Sequence, residues 1–123
     1  MGKTVLIIDD DPDQRRLLER TLATRGYRVL LAADGEAGLA LAVTGRPDAI
    51  VLDVMMPRLN GFQTCRRLKA EPATASVPVV MLTAKDQPAD EYWAREVGAN
   101  EYLTKPVEIS ALLDLLDRLT ASR

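Results

Sequence analysis

Short apolar runs alternate along this chain with longer stretches of helical spacing. Thr4-Val5-Leu6-Ile7-Ile8 is apolar and β-branched, and it leads into Asp9-Asp10-Asp11. Arg28 to Ala32 is a second run, more polar at its start. Ala49-Ile50-Val51-Leu52 leads into Asp53, Val79-Val80-Met81-Leu82 into Thr83, and the short Glu101-Tyr102-Leu103-Thr104 into Lys105-Pro106. Runs of this length, bounded by turn residues, read as strands, and the uninterrupted ones as strands buried on both faces.

The segments between them read as helices. From about Pro12 to Arg25, Leu17, Leu18, Thr21 and Leu22 fall on one face. Asp11 is the N-cap, Pro12 suits the first position, Asp13 is favourable in the first turn, and Gly26 is the stop. Asp34-Gly35 opens a small-residue helix through Ala37 and Leu41, ending near Gly45. Phe62, Cys65 and Leu68 mark a third helix from about Gly61 to Ala70. A fourth opens at Ala84-Lys85-Asp86-Gln87-Pro88 and runs to about Val97. Ile109, Leu112, Leu113, Leu116 and Leu119 give a strongly amphipathic fifth. Five strands alternating with five helices predict an α/β fold: a parallel sheet joined by right-handed crossovers. Residues 1–123 read as a single domain, with no repeat, no linker and no output domain.

Composition narrows the functional classes. At 47% hydrophobic and 28% charged the chain is an ordinary globular sequence. A net charge of −2 advertises no nucleic-acid surface. No apolar run approaches the roughly 18 residues of a membrane span, and no secretory layout opens the chain, so the expected location is the cytoplasm. The single cysteine, Cys65, excludes an internal disulfide and is expected in the core. With no histidine, His-metal sites, Ser-His-Asp triads and a phosphohistidine on this chain are all excluded.

In a parallel sheet the carboxyl ends of all strands share one edge, the edge where open α/β sheets bind ligands. That edge receives Asp9 and Asp10, Asp53, Thr83 and Lys105. Each has an ordinary explanation by itself: a turn residue, a β-former, a solvated lysine. Four strand ends carrying such groups together exceed structural need. Clustered carboxylates repel unless a cation intervenes, and an oxygen-only set suits a hard cation such as Mg²⁺. A carboxylate there can serve as nucleophile and become an aspartyl-phosphate, with metal, ammonium and hydroxyl stabilising the transferring group.

At these residues the chain resembles response-regulator receiver domains of the chemotaxis-regulator kind. The resemblance is carried by Val5-Leu6-Ile7-Ile8-Asp9-Asp10-Asp11, by the segment from Asp53 to Gly61, by Val79-Val80-Met81-Leu82-Thr83-Ala84, and by Gly98 to Pro106. It covers essentially the whole chain. It implies a flavodoxin-like, doubly wound sheet of strand order 2-1-3-4-5. It implies that Asp53 accepts a phosphoryl group from a histidine of a partner kinase or phosphotransfer protein. Asp10, Asp53 and the backbone carbonyl of Met55 would hold Mg²⁺ directly, and Asp9 through water. Lys105 would contact the phosphoryl oxygens. Thr83 would bond the new phosphate, and Tyr102 would turn inward as Thr83 moves. These shifts would change the face made by the fourth helix, fifth strand and fifth helix, and with it the binding of a downstream protein. The Lys105-Pro106 peptide would be cis. A finer resemblance is to stand-alone receivers of type IV pilus twitching-motility systems, through Thr83-Ala84-Lys85-Asp86-Gln87, Trp93 and Tyr102 to Pro106.

Three positions carry expectations of their own. Lys85 and the bulk of Met55 would shield the phosphate from water and lengthen its life. Trp93, beside the inward Ala94 and Val97, is expected partly exposed and, with Tyr102 and Lys105, on the partner face. The competing class is a metal-dependent phosphohydrolase working through an aspartyl-phosphate. Such an enzyme needs a second acid two residues past its nucleophile, and this chain has Met55 there. A nucleotide-binding fold lacks its Gly-rich loop after the first strand.

Overall fold

The computed structural model describes residues 2–84 and 87–122. Five strands, β1 (Thr4–Ile8), β2 (Arg28–Ala32), β3 (Ala49–Asp53), β4 (Val79–Thr83) and β5 (Glu101–Thr104), alternate with five helices. The helices are α1 (Pro12–Thr24), α2 (Gly35–Gly45), α3 (Gly61–Ala70), α4 (Pro88–Glu96) and α5 (Ile109–Thr120). All strand pairs are parallel, in the order β2-β1-β3-β4-β5. This is the doubly wound sheet expected from the alternation.

Period-two alternation divides the strands between two cores. Leu6, Ile8, Ile50, Leu52, Val79 and Met81 pack with Ala42 of α2, Cys65 and Leu68 of α3, and Ala94 of α4. Val5, Ile7, Val51, Val80 and Leu82 pack with Leu18 and Leu22 of α1 and Leu112, Leu113, Leu115 and Leu116 of α5. Burying one such aliphatic side chain contributes about 1.5–3 kcal/mol, so both faces of β1, β3 and β4 hold the fold together. The register sets the functional edge: Ile8 lies beside Leu52, and Asp53 beside Leu82.

One helix differs from expectation. Leu17 of α1 is 57% exposed, because the inward stripe is only Leu18 and Leu22 wide. The small-residue helix α2 turns Gly35, Gly38 and Ala42 inward and leaves Ala37 exposed. A Cβ on Gly38 would lie 2.5 Å from Ile8 Cδ1, so α2 can sit close to β1 only with glycine there. Asp11 caps α1 by accepting from the Asp13 and Gln14 amides, with Pro12 in the first turn. Among the described residues no helix is long and apolar enough to cross a membrane.

Candidate functional site

The carboxyl edge brings Asp9 and Asp10 of the β1–α1 turn against Asp53 at the end of β3. One oxygen from each of the three lies within 4.8 Å of the others. Strand parity places Asp9 and Asp53 on the same side of the sheet as Val5, Ile7 and Val51. Asp9 and Asp53 are buried and Asp10 is exposed. Lys105, two residues past Leu103 on that same side, donates its Nζ to Asp53 Oδ1 at 2.6 Å. The Lys105-Pro106 peptide that delivers it is cis, as the family resemblance implies.

The turn after β3 is built to hold Asp53 in place. The Met55 amide points back at Asp53 Oδ1, 3.4 Å away, and the Gly61 amide donates to the Val54 carbonyl at 3.0 Å. Gly61 is required by proximity. A Cβ there would lie 2.4 Å from the Asp53 carbonyl oxygen and 2.6 Å from Val54 Cα, both backbone atoms that cannot give way. Arg58 occupies the left-handed region at φ 63, an uncommon conformation for a side chain of this size. Asn60 and Gln63 then close a reciprocal capping box that starts α3.

Asp9 is clamped. Its Oδ1 accepts from the Asp11 amide at 2.9 Å and its Oδ2 from the Gln14 side-chain amide, while Arg15 donates to its backbone carbonyl at 2.8 Å. Gln14 and Arg15 escaped sequence reasoning. The available signal was position: Gln14 is the third residue of α1, where a long amide side chain reaches back past the cap.

Burial, first, and the neighbouring Asp9 carboxylate raise the Asp53 pKa above the ordinary aspartate value, against the lowering effect of Lys105 and the Met55 amide. Among the described residues, three carboxylates against one lysine leave the cluster short of positive charge. The donors are all oxygens and the group most in need of compensation is buried. These residues fit a hard divalent cation such as Mg²⁺.

Thr83 and Tyr102 lie on the other side of the strand ends, the α4 side, where Tyr102 packs beside Met81. The Thr83 hydroxyl faces the Leu103 carbonyl at 3.5 Å rather than Asp53. The Tyr102 phenol sits against Glu91 of α4, whose carboxylate raises its pKa, with Arg95 opposing. Trp93 is 48% exposed, with Ala94 and Val97 inward as the helical spacing predicts. Its direction differs from expectation. Glu91 and Arg95 share the β5-facing side of α4, and a residue midway between them in sequence points roughly opposite at 3.6 residues per turn. Trp93 therefore lines a cleft against α3 and stands apart from Tyr102 and Lys105. Met55 is exposed and puts no acid beside Asp53. Lys85 lies outside the described residues.

Residues 5–117 match the model of the response regulator receiver domain. The chain is 41% identical over 117 residues to Protein PilH of Pseudomonas aeruginosa, covering 95% of this chain and 97% of that protein. It is 46% identical over 109 residues to the DNA-binding dual master transcriptional regulator RpaA of Synechocystis, where the match covers 89% of this chain and 45% of the relative. Among solved structures, the receiver domain of sensor histidine kinase PA1611 from P. aeruginosa superposes with a TM-score of 0.90 at 33% identity, over 98% of this chain and 99% of that one. That structure has a magnesium ion coordinated in its active-site cleft. Fold, edge cluster and match agree: the chain belongs to the response regulator receiver domain family of two-component signalling.

Proposed function

We propose that Asp53 is the phosphoacceptor of this receiver. The observation that carries the reading is a buried carboxylate at the end of β3, 2.6 Å from Lys105 Nζ and within 4.8 Å of oxygens of Asp9 and Asp10. A carboxylate oxygen of Asp53 attacks phosphorus on the phosphohistidine of a partner kinase or phosphotransfer protein. The new O–P bond forms as the N–P bond breaks, and the imidazole leaves with the electron pair and takes up a proton. Attack by water later returns the carboxylate and releases inorganic phosphate.

Asp10, Asp53 and the Met55 carbonyl would hold Mg²⁺ directly, and Asp9 through water; the clamp on both Asp9 oxygens supports the indirect role. Mg²⁺ supplies charge neutralisation for the phosphoryl oxygens and for the carboxylates. Lys105 moves its ammonium from Asp53 Oδ1 to a phosphoryl oxygen. Thr83 exchanges its long contact to the Leu103 carbonyl for the phosphate, and Tyr102 follows into the space on the α4 side. The α4-β5-α5 face changes with them, and a downstream protein reads it. The domain acts as a switch whose only chemistry is its own phosphorylation and slow dephosphorylation. The near full-length relation to PilH supports a stand-alone cytoplasmic receiver of a pilus-motility system, acting without nucleic-acid contact. A phosphohydrolase reading is disfavoured by Met55 in place of a second acid.

Incubation with a small phosphodonor and Mg²⁺, followed by intact mass measurement, tests the proposal. A single phosphate adduct on the wild type, absent from Asp53→Ala, is expected. Absence of any adduct on the wild type would remove the reading.

A further inference from the structure

Beside the edge cluster, α3 and α4 enclose a cleft of ≈440 Å³. Leu59, Phe62, Val97 and Trp93 give it apolar walls, and Arg66 and Arg67 stand at its mouth. Three features separate it from the rest of the surface. Its charge is of one sign. Four other surface clefts each include a carboxylate: Asp117, Asp48, Asp34 with Glu36, and Asp90. Among the described residues this cleft is lined by two guanidinium groups and no acid, on a chain of net charge −2. Its polar groups are also available. Arg66 is exposed and has no partner among the described residues, and the Trp93 indole N–H meets no acceptor among them. Arg67 is held only by Glu36, through an exposed pair at 3.1 Å. Such pairs are worth about 0–1 kcal/mol and are readily exchanged. Finally, Trp93 is not packed away. It is 48% exposed and meets Tyr92 edge-to-face at 5.2 Å, so a partly solvated aromatic wall faces two cations.

We propose that this α3–α4 cleft docks an acidic segment of a partner protein, with an apolar side chain of the segment on Trp93 and Phe62 and its carboxylates on Arg66 and Arg67. Tryptophan and arginine are the residue types most often found to dominate interface energies. Complementary charge selects the partner and speeds its approach. The site is distinct from the α4-β5-α5 face, because Trp93 points away from Glu91 and Arg95 on α4. It stands independently of the role assigned to Asp53. Phe62 also lines the neighbouring cleft that holds Met55 and Asp90, so an occupant would rest one side chain away from the turn after Asp53.

The full chain provides the test, because Trp93 is its only tryptophan. The probes are two short capped peptides of the same leucine and phenylalanine pattern, one filled with glutamate and one with lysine. The acidic peptide is expected to change Trp93 emission saturably and to shift amide resonances of α3 and α4, while the lysine peptide leaves both unchanged. Arg66→Glu, at an exposed side chain that leaves the fold intact by circular dichroism, should weaken the acidic peptide by about tenfold or more and admit the lysine peptide. The proposal would be overturned by equal binding of the two peptides, by no binding of the acidic one at millimolar concentration, or by resonance shifts confined to β5 and α5. Undiminished binding of the acidic peptide to Arg66→Glu would do so as well.

Discussion

The two ends of the sheet each hold a cluster of charges, and they are composed in opposite ways. At the amino end, the C-terminal turn of α5 meets the start of β2. Asp117 pairs with Arg25 there and accepts from the Tyr27 hydroxyl at 2.5 Å. Thr120 closes the group with a donation to the Leu116 carbonyl. The Asp117 carboxylate, the Arg25 guanidinium and the Tyr27 and Thr120 hydroxyls each have a partner. At the carboxyl end, among the described residues, three carboxylates face one lysine. The first cluster is balanced and ties α5 to β2. Among the described residues the second is deficient in positive charge, and its oxygen donors fit a hard divalent cation. Polar satisfaction separates a structural cluster from a functional one here, although both are built of ordinary Asp, Lys and Arg.

The largest expected contrast is in metal binding. Asp10→Ala removes an exposed carboxylate that no helix cap or core contact needs, and calorimetry should show Mg²⁺ affinity falling at least about tenfold with little change in thermal stability. Asp117→Ala should do the reverse. It leaves the Tyr27 hydroxyl without its acceptor and costs about 1–3 kcal/mol of stability, while Mg²⁺ affinity stays at the wild-type level. Equal loss of Mg²⁺ affinity in both variants would erase the distinction between the two ends.

Next in size is Gly61→Ala. The added methyl meets the backbone of Asp53 and Val54, and overpacking of this kind costs about 1–3 kcal/mol. Chemical denaturation should show that loss, and phosphorylation should slow as Asp53 is displaced. A variant as stable and as readily phosphorylated as the wild type would mean that the β3–α3 turn is not held by this contact.

These two cases also show what the sequence made legible and what it did not. The alternation of apolar runs and helical stripes specified all ten elements, because the inner strands β1, β3 and β4 are buried on both faces, the edge strands β2 and β5 are partly covered, and each helix is buried on one face. The edge cluster was legible because parallel topology forces strand ends together, so Asp9, Asp10, Asp53 and Lys105 needed no contact information. The clamp from Gln14 depends on side-chain geometry that no spacing rule supplies, and the direction of Trp93 on the Glu91 and Arg95 contacts to Tyr102 that fix which side of α4 faces β5. Leu17 was misplaced because two adjacent leucines on a helix cannot both face inward when the stripe is one residue wide. The amino-end cluster joins Tyr27 to Asp117 across most of the chain, and neither residue lies in a motif.

Smaller effects appear in the pH dependence of stability. Asp53 has its pKa raised in the folded state, so the native protein binds this proton more tightly than the unfolded chain does. Without metal, its contribution to stability is fully present below the ordinary aspartate value, declines as pH rises from that value through the raised one, and is constant beyond. Asp53→Asn should flatten that part of the profile, and saturating Mg²⁺ should reverse its sign by binding the ionised form. An unchanged slope in Asp53→Asn would show that the charge deficit lies elsewhere in the cluster.

The smallest change belongs to the amino end. Burial and Asp117 push the Tyr27 pKa up to about 12 from its ordinary 10.0. The hydroxyl then stays a donor through the neutral range, and its contribution to stability is lost only as pH rises from about 10 to about 12. Tyr27→Phe should remove that alkaline step and leave the acid limb, which belongs to the carboxyl edge, untouched. Loss of the acid limb instead would couple two clusters that the structure keeps at opposite ends.

The most direct test of the central claim is to locate the phosphate. The wild-type protein is treated with a small phosphodonor in Mg²⁺ and, in parallel, with the metal chelated, then digested, and the fragments are weighed. The account predicts one phosphate on the fragment that contains Asp53, dependent on Mg²⁺ and preserved in Asp117→Ala. A phosphate on another fragment, or one formed equally well without metal, would contradict it.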